Sequence, residues 1–135
     1  MSAEPPAGWF DKTMIVYSAP PDPAHAIAPT IVVGRDALGA DETFREYCNR
    51  QVDTFRASLP GYVREGEQPG QVHGFDAFQI RFTWRSAGGA LRQQVFFVAA
   101  GGGMIVTYTG TAAAEDFAAF EVLFERSLAT LRIDG

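Results

Sequence analysis

The chain of 135 residues holds one cysteine, two histidines, few basic residues and no long apolar run. With Cys48 alone, an internal disulfide is excluded, and its place among apolar residues reads as a small buried thiol rather than a nucleophile. His25 and His73 fall in turn-rich segments with no carboxylate or cysteine at metal-ligand spacing, and neither pairs with a serine or cysteine nucleophile. No resident metal, cofactor or catalytic site is therefore expected. Eleven Lys and Arg stand against sixteen Asp and Glu, a net charge of −5, and the cations are scattered. Following a phosphate backbone needs a basic stripe, so a nucleic-acid partner is not expected. No apolar stretch approaches the ~18 residues of a membrane-crossing helix, which argues against direct membrane insertion. Residues 1–8 are polar, acidic and proline-containing, without the basic and then apolar regions of a secretory signal. A cytoplasmic protein is the expectation.

What is present suits a packed domain. Apolar residues make up 47% of the chain and phenylalanine occurs eleven times, so 1–135 reads as a single domain with a real core. Residues 12–19 read as a first strand, with Ile15 and Tyr17 on one face and Met14 and Val16 on the other. Four prolines make 20–29 a loop, and 30–35 reads as a second strand rich in β-branched residues. Both strands are apolar on both faces, whereas a strand covered on one side only would alternate, so their second face also needs cover.

Asp41 is placed to cap a helix over 41–59, and Pro60-Gly61 ends it. Residues 61–67 form a weak strand candidate that Pro69-Gly70 terminates. Residues 76–85 alternate cleanly, Phe78, Ile80, Phe82 and Trp84 facing one way and Gln79, Arg81, Thr83 and Arg85 the other. Gly88-Gly89 supplies a turn, 91–99 the next strand, Gly101-Gly102-Gly103 another turn and 104–109 the last strand. Residues 113–131 carry Phe117, Phe120, Phe124, Leu128 and Leu131 on one helical face. The order β-β-α-β-β-β-β-α predicts an α+β fold, an antiparallel sheet with two helices.

One residue breaks the pattern. A helix over 41–59 puts Phe44, Tyr47, Cys48, Val52, Phe55 and Leu59 on one face, and Gln51 falls within about 20° of Phe44. An unpartnered amide there costs on the order of 1–3 kcal/mol. Either a core hydrogen bond satisfies it, or something outside the folded chain does. Other polar groups have ordinary explanations. The triple glycine lacks a following Lys-Ser/Thr and is a turn, not a phosphate cradle. Glu115 and Asp116 complement a helix N-terminus, and Glu65 and Glu67 share a solvated strand face.

Several phrases in order carry a resemblance: Gly8-Trp9-Phe10-Asp11-Lys12-Thr13 before the first strand, Val33-Gly34-Arg35, Phe44-Arg45-Glu46-Tyr47 through Gln51, Leu59-Pro60-Gly61-Tyr62, Arg92-Gln93-Gln94-Val95-Phe96, and Val106-Thr107-Tyr108-Thr109. From about Trp9 to Leu131 the chain resembles the DcrB-like family, and within it the Eag-type, effector-associated chaperones of type VI secretion. That resemblance implies a Mog1/PsbP-like fold and a homodimer. It also implies a non-enzymatic chaperone or adaptor. Such a protein shields the apolar N-terminal transmembrane region of a PAAR- or Rhs-type effector before the effector is loaded on the secretion spike. The grip it implies combines strand hydrophobics with two amides, one from the helix and one from a later strand. Carried over by position, the client-binding residues are Gln51, Gln94, Ile15, Tyr17 and Val32. Gln93 is the alternative strand amide, and Met14, Val16, Ile31 and Val33 are the alternative lining.

Physical chemistry agrees with such a role. Covering an apolar helix is worth roughly 25 cal/mol per Å², and glutamine both donates and accepts. Other readings are a DcrB-like or Mog1-like binding domain with no membrane-segment client, its amides satisfied internally, and an envelope-associated member of the family.

Overall fold

The computed structural model describes residues 6–7 and 14–133. The motif at 8–13 and the first two residues of the expected first strand therefore lie outside the described residues. The elements are β1 (Met14–Ser18), β2 (Thr30–Ala37), α1 (Phe44–Ser58), β3 (Val63–Val72), β4 (Phe75–Ser86), β5 (Gly89–Gly101), β6 (Met104–Ala113) and α2 (Phe117–Ala129). The strands form one antiparallel sheet in the order β1-β2-β6-β5-β4-β3, so the expected α+β arrangement is borne out.

Strand alternation divides the core into two sides. Phe78, Ile80, Phe82 and Trp84 of β4 share their face with Val95 and Phe97 of β5 and Ile105 of β6. Helix α1 covers that face, inserting Tyr47, Cys48, Val52 and Phe55. Phe55 stacks within 5.0 Å of Phe82 and 6.3 Å of Phe97, and Tyr47 meets Phe97 edge-on. Ile80, Phe82 and Ile105 are wholly buried, each worth roughly 1.5–3 kcal/mol of transfer free energy before entropy is counted. On the opposite face α2 packs Phe117 and Phe124 against Ile31, Tyr108 and Ala112. The Tyr108 hydroxyl donates to the Phe124 carbonyl at 3.0 Å. Gly110 makes this approach possible, because a Cβ there would stand 2.9 Å from the Phe124 ring. Residues Leu131 and Ile133 then close over Val98 and Val106.

Several boundaries differ from the sequence expectation. The cap of α1 is Thr43, not Asp41: Thr43 Oγ1 accepts from the Glu46 amide while Glu46 accepts from the Thr43 amide. This reciprocal box satisfies two N–H groups at once. Glu42 instead accepts from the Gly39 amide and pairs with Arg50, which holds its carboxyl down at about 2. Strand β3 runs through Pro69-Gly70 to Val72, since an edge strand tolerates proline on its unpaired side. A register shift between Arg64 and Gly66 separates the two glutamates expected on one face. Glu65 pairs with Arg92 on the α2 side, and Glu67 shares a rung with Ile80 on the α1 side. Residues 113–116 belong to the end of β6 and a turn, so α2 starts at Phe117. His25 lies 2.9 Å from Asp116 and edge-on to Phe120, tying the β1–β2 loop to the start of α2.

Candidate functional site

Helix α1 covers only part of its side of the sheet. Its Cys48 and Asn49 flank borders a hollow against Glu67, Pro69 and Phe78 of β3 and β4. Tyr47 leans the other way, its hydroxyl donating to Asp36 of β2 at 2.9 Å. Burial and this hydrogen bond push the Tyr47 phenol well above its usual range. Gln51 lies about 40° around the helix from Tyr47 and about 160° from Asn49. It therefore stands on the flank that faces β6 and β2. Gln51 is half-buried and forms no side-chain hydrogen bond with another described residue.

Beyond that flank the sheet lies open as a trough. Cross-strand pairing puts Met14 and Val16 of β1 on the same face as Val32 and Gly34 of β2, and these beside Thr107 and Thr109 of β6. Thr30 and Thr111 share the next rung with Gln93 of β5. Thr107, Thr109, Thr111 and Val32 are half-buried, while Met14 and Val16 are 64% and 59% exposed. Gly34 keeps the floor low at its Met14 end, since a Cβ there would meet Thr107 Oγ1 at 3.1 Å. The trough is thus apolar at its β1 lip, hydroxyl-lined along β6, and bordered by an amide on α1. The residues just named are uncharged, and Asp36, next along the same face of β2 from Gly34, accepts the Tyr47 hydroxyl at 2.9 Å.

The sequence-derived candidates do not all meet here. Gln51 and Val32 lie on the α1 side. Ile15, Tyr17 and Gln94 lie on the α2 side, because Ile15 pairs with Val33, Tyr17 with Ile31, and Gln94 with Gly110 beneath α2. Gln94 is only 7% exposed. Its neighbour Gln93 is the strand amide on the α1 side. The alternative lining divides in the same way, Met14 and Val16 facing the trough and Ile31 and Val33 facing α2. The threonines were missed, although Thr107, Thr109 and Thr111 at a spacing of two are visible in the sequence as one strand face.

The two edges of the sheet are treated differently. β3 carries Arg64, Glu65, Glu67 and Pro69, which discourage pairing with another strand. β1 reads MIVYS, without charge, proline or glycine, and all five residues are exposed. Both faces of β1 and its outer edge remain unpartnered among the described residues. Among those residues no helix is long and apolar enough to cross a membrane, and no group of three or more His, Cys, Asp or Glu could hold a metal.

Comparison with known proteins agrees with this architecture. A Pseudomonas aeruginosa protein named "Effector EagT6" is 28% identical over 129 residues, covering 95% of this chain and 88% of that one. A crystal structure of a P. aeruginosa protein of unknown function, PA94, superposes with a TM-score of 0.85 at 22% identity, covering 98% of this chain and 91% of the other. The solution structure of cyanobacterial PsbP (CyanoP) from Synechocystis has the same fold, with a TM-score of 0.58 at 8% identity and 98% of each chain covered. Residues 3–123 match the DcrB family, and the chain belongs to it.

Proposed function

We propose that this chain is a non-enzymatic chaperone or adaptor of type VI secretion. It binds the apolar N-terminal transmembrane segments of an effector in the cytoplasm and shields them until the effector is loaded on the spike. The observation that carries this reading is the trough. An apolar edge strand, left open on both faces among the described residues, stands opposite a half-buried amide that none of those residues satisfies. A soluble fold that kept such a strand uncovered for no purpose would risk aggregation. A guest helix laid along β1 and β6 would cover Met14, Val16 and Val32, and Gln51 would meet its polar groups. The distant relationship to EagT6 supports the same reading.

Gln51 and Val32 are the client contacts kept from the sequence-derived set, and Gln93 takes the place of Gln94 as the strand amide. Ile15 and Tyr17, on the other side of the same exposed strand, serve the homodimer or a second part of the client. The direct test is co-expression with an effector whose N-terminus is apolar, of the PAAR or Rhs type. The chaperone raises the soluble yield of that effector and co-purifies with it. Equal soluble yield without the chaperone would refute the proposal.

A further inference from the structure

The hydrogen bonds at the floor of the trough have a direction. The indole Nε1–H of Trp84 lies 2.6 Å from Gln93 Oε1. An indole can only donate, so this contact fixes which end of the Gln93 amide is oxygen. The amide nitrogen then faces Thr111 Oγ1 at 2.9 Å and must donate to it. The Thr111 hydroxyl is left as acceptor in that bond, with its own proton uncommitted. No acceptor for that proton is found among the described residues, and Thr111 is half-buried on β6 at the floor of the trough. The relay Trp84→Gln93→Thr111 therefore ends in one oriented donor.

We infer that Thr111 is a specificity-determining residue of the trough, reading an unpaired backbone carbonyl of the client segment, with Gln93 as its positioning residue. This inference rests on the trough being the client site. A regular apolar helix offers no such carbonyl along its middle, because all but those of its last turn are bonded within the helix. A proline inside it removes an N–H and frees the carbonyl four residues earlier. The trough thus favours apolar segments with a helix break over unbroken ones. The apolar lip of β1 supplies area to either kind of segment, and the Thr111 donor distinguishes them.

The test uses two fluorescently labelled peptides. Both have about 20 Leu and Ala residues between lysine ends, a length that spans a bilayer core. They differ only in one central proline. Binding to the intact protein is followed by anisotropy. The wild-type protein binds the proline peptide about 5-fold more tightly, the worth of one ordinary hydrogen bond. Thr111→Ser keeps the preference and Thr111→Val abolishes it. Gln93→Glu also abolishes it while still accepting from Trp84, since an ionised carboxylate has no proton to give and draws the Thr111 hydroxyl toward itself. A preference that survives in Thr111→Val or Gln93→Glu overturns the inference. Equal wild-type binding of both peptides overturns it while leaving the trough as client site. No wild-type binding of either peptide overturns the reading of the trough itself.

Discussion

Three glutamines in similar sequence surroundings have three different environments, and replacing each by leucine separates core service from client service. Gln51 is half-buried and bonded to no described residue, and leucine has nearly the same helix propensity. Gln51→Leu therefore leaves stability within about 0.5 kcal/mol of the parent. Gln93 holds two contacts, 2.6 Å from the Trp84 indole and 2.9 Å to Thr111. Its removal strands a half-buried N–H as well as a hydroxyl, so Gln93→Leu costs about 1–3 kcal/mol. Gln94 is covered by α2 and has no side-chain hydrogen bond among the described residues, so Gln94→Leu leaves stability unchanged or raises it. Urea unfolding at pH 7 reads all three as shifts in midpoint at constant slope. Effector pull-down then gives the second axis: Gln51→Leu weakens client capture at unchanged stability, whereas Gln94→Leu leaves capture intact. If Gln51→Leu lowers the unfolding midpoint as much as Gln93→Leu does, its amide serves the core. The argument from an unsatisfied amide then fails.

Gly110→Ala places a Cβ 2.9 Å from the Phe124 ring, which is itself packed 5.5 Å from Phe117 and cannot recede. The expected cost is about 1–3 kcal/mol, and Phe124→Leu in the same chain recovers part of it. Strict additivity in that double-mutant cycle contradicts the proposed contact. Burial pushes the Cys48 thiol up to about 12, from an ordinary value near 9. The folded state therefore favours the protonated thiol, and its contribution is fully present below pH 9 and lost as pH rises toward 12. Cys48→Ala reduces the alkaline fall in stability over that window. The native thiol reacts with a disulfide reagent at pH 8 only at the rate of unfolding, and rapid labelling of the folded protein would contradict its burial.

Much of the fold follows from local pattern because local physics decided it. The alternation of β4 survives intact since one face lies under α1 and the other under α2 and solvent. The helix phrase from Phe44 to Leu59 survives because its apolar spacing matches one covered face. Boundaries moved where two local signals competed. Asp41 and Thr43 are both good caps, and Thr43 won because Glu46 stands three residues after it and completes a box. Pro69-Gly70 reads as a strand end in isolation, yet on an outer strand the missing N–H of Pro69 costs the ladder nothing. The pairing of His25 with Asp116 joins residues about ninety apart and leaves no trace in either neighbourhood.

The site was less legible because a strand pattern has period two, and a one-residue ambiguity is then a choice between opposite faces. Gln93 and Gln94 are adjacent and chemically identical, so nothing local separates them. What separates them is across the sheet: Gln94 opposes Gly110, where α2 sits down, and Gln93 opposes Thr111, at the floor of the trough. The same parity argument divides β1. Ile15 and Tyr17 do share a face, as their spacing requires, but which face depends on Val16 meeting Val32 rather than Val33. That register is a long-range fact. Once it is fixed, the hydroxyls of Thr107, Thr109 and Thr111 fall between the apolar lip of β1 and the amide of Gln51. A guest helix lying there meets apolar cover on one side and hydrogen-bonding groups on the other, and the polar side is where selection among apolar segments is possible, because burial alone rewards all of them alike.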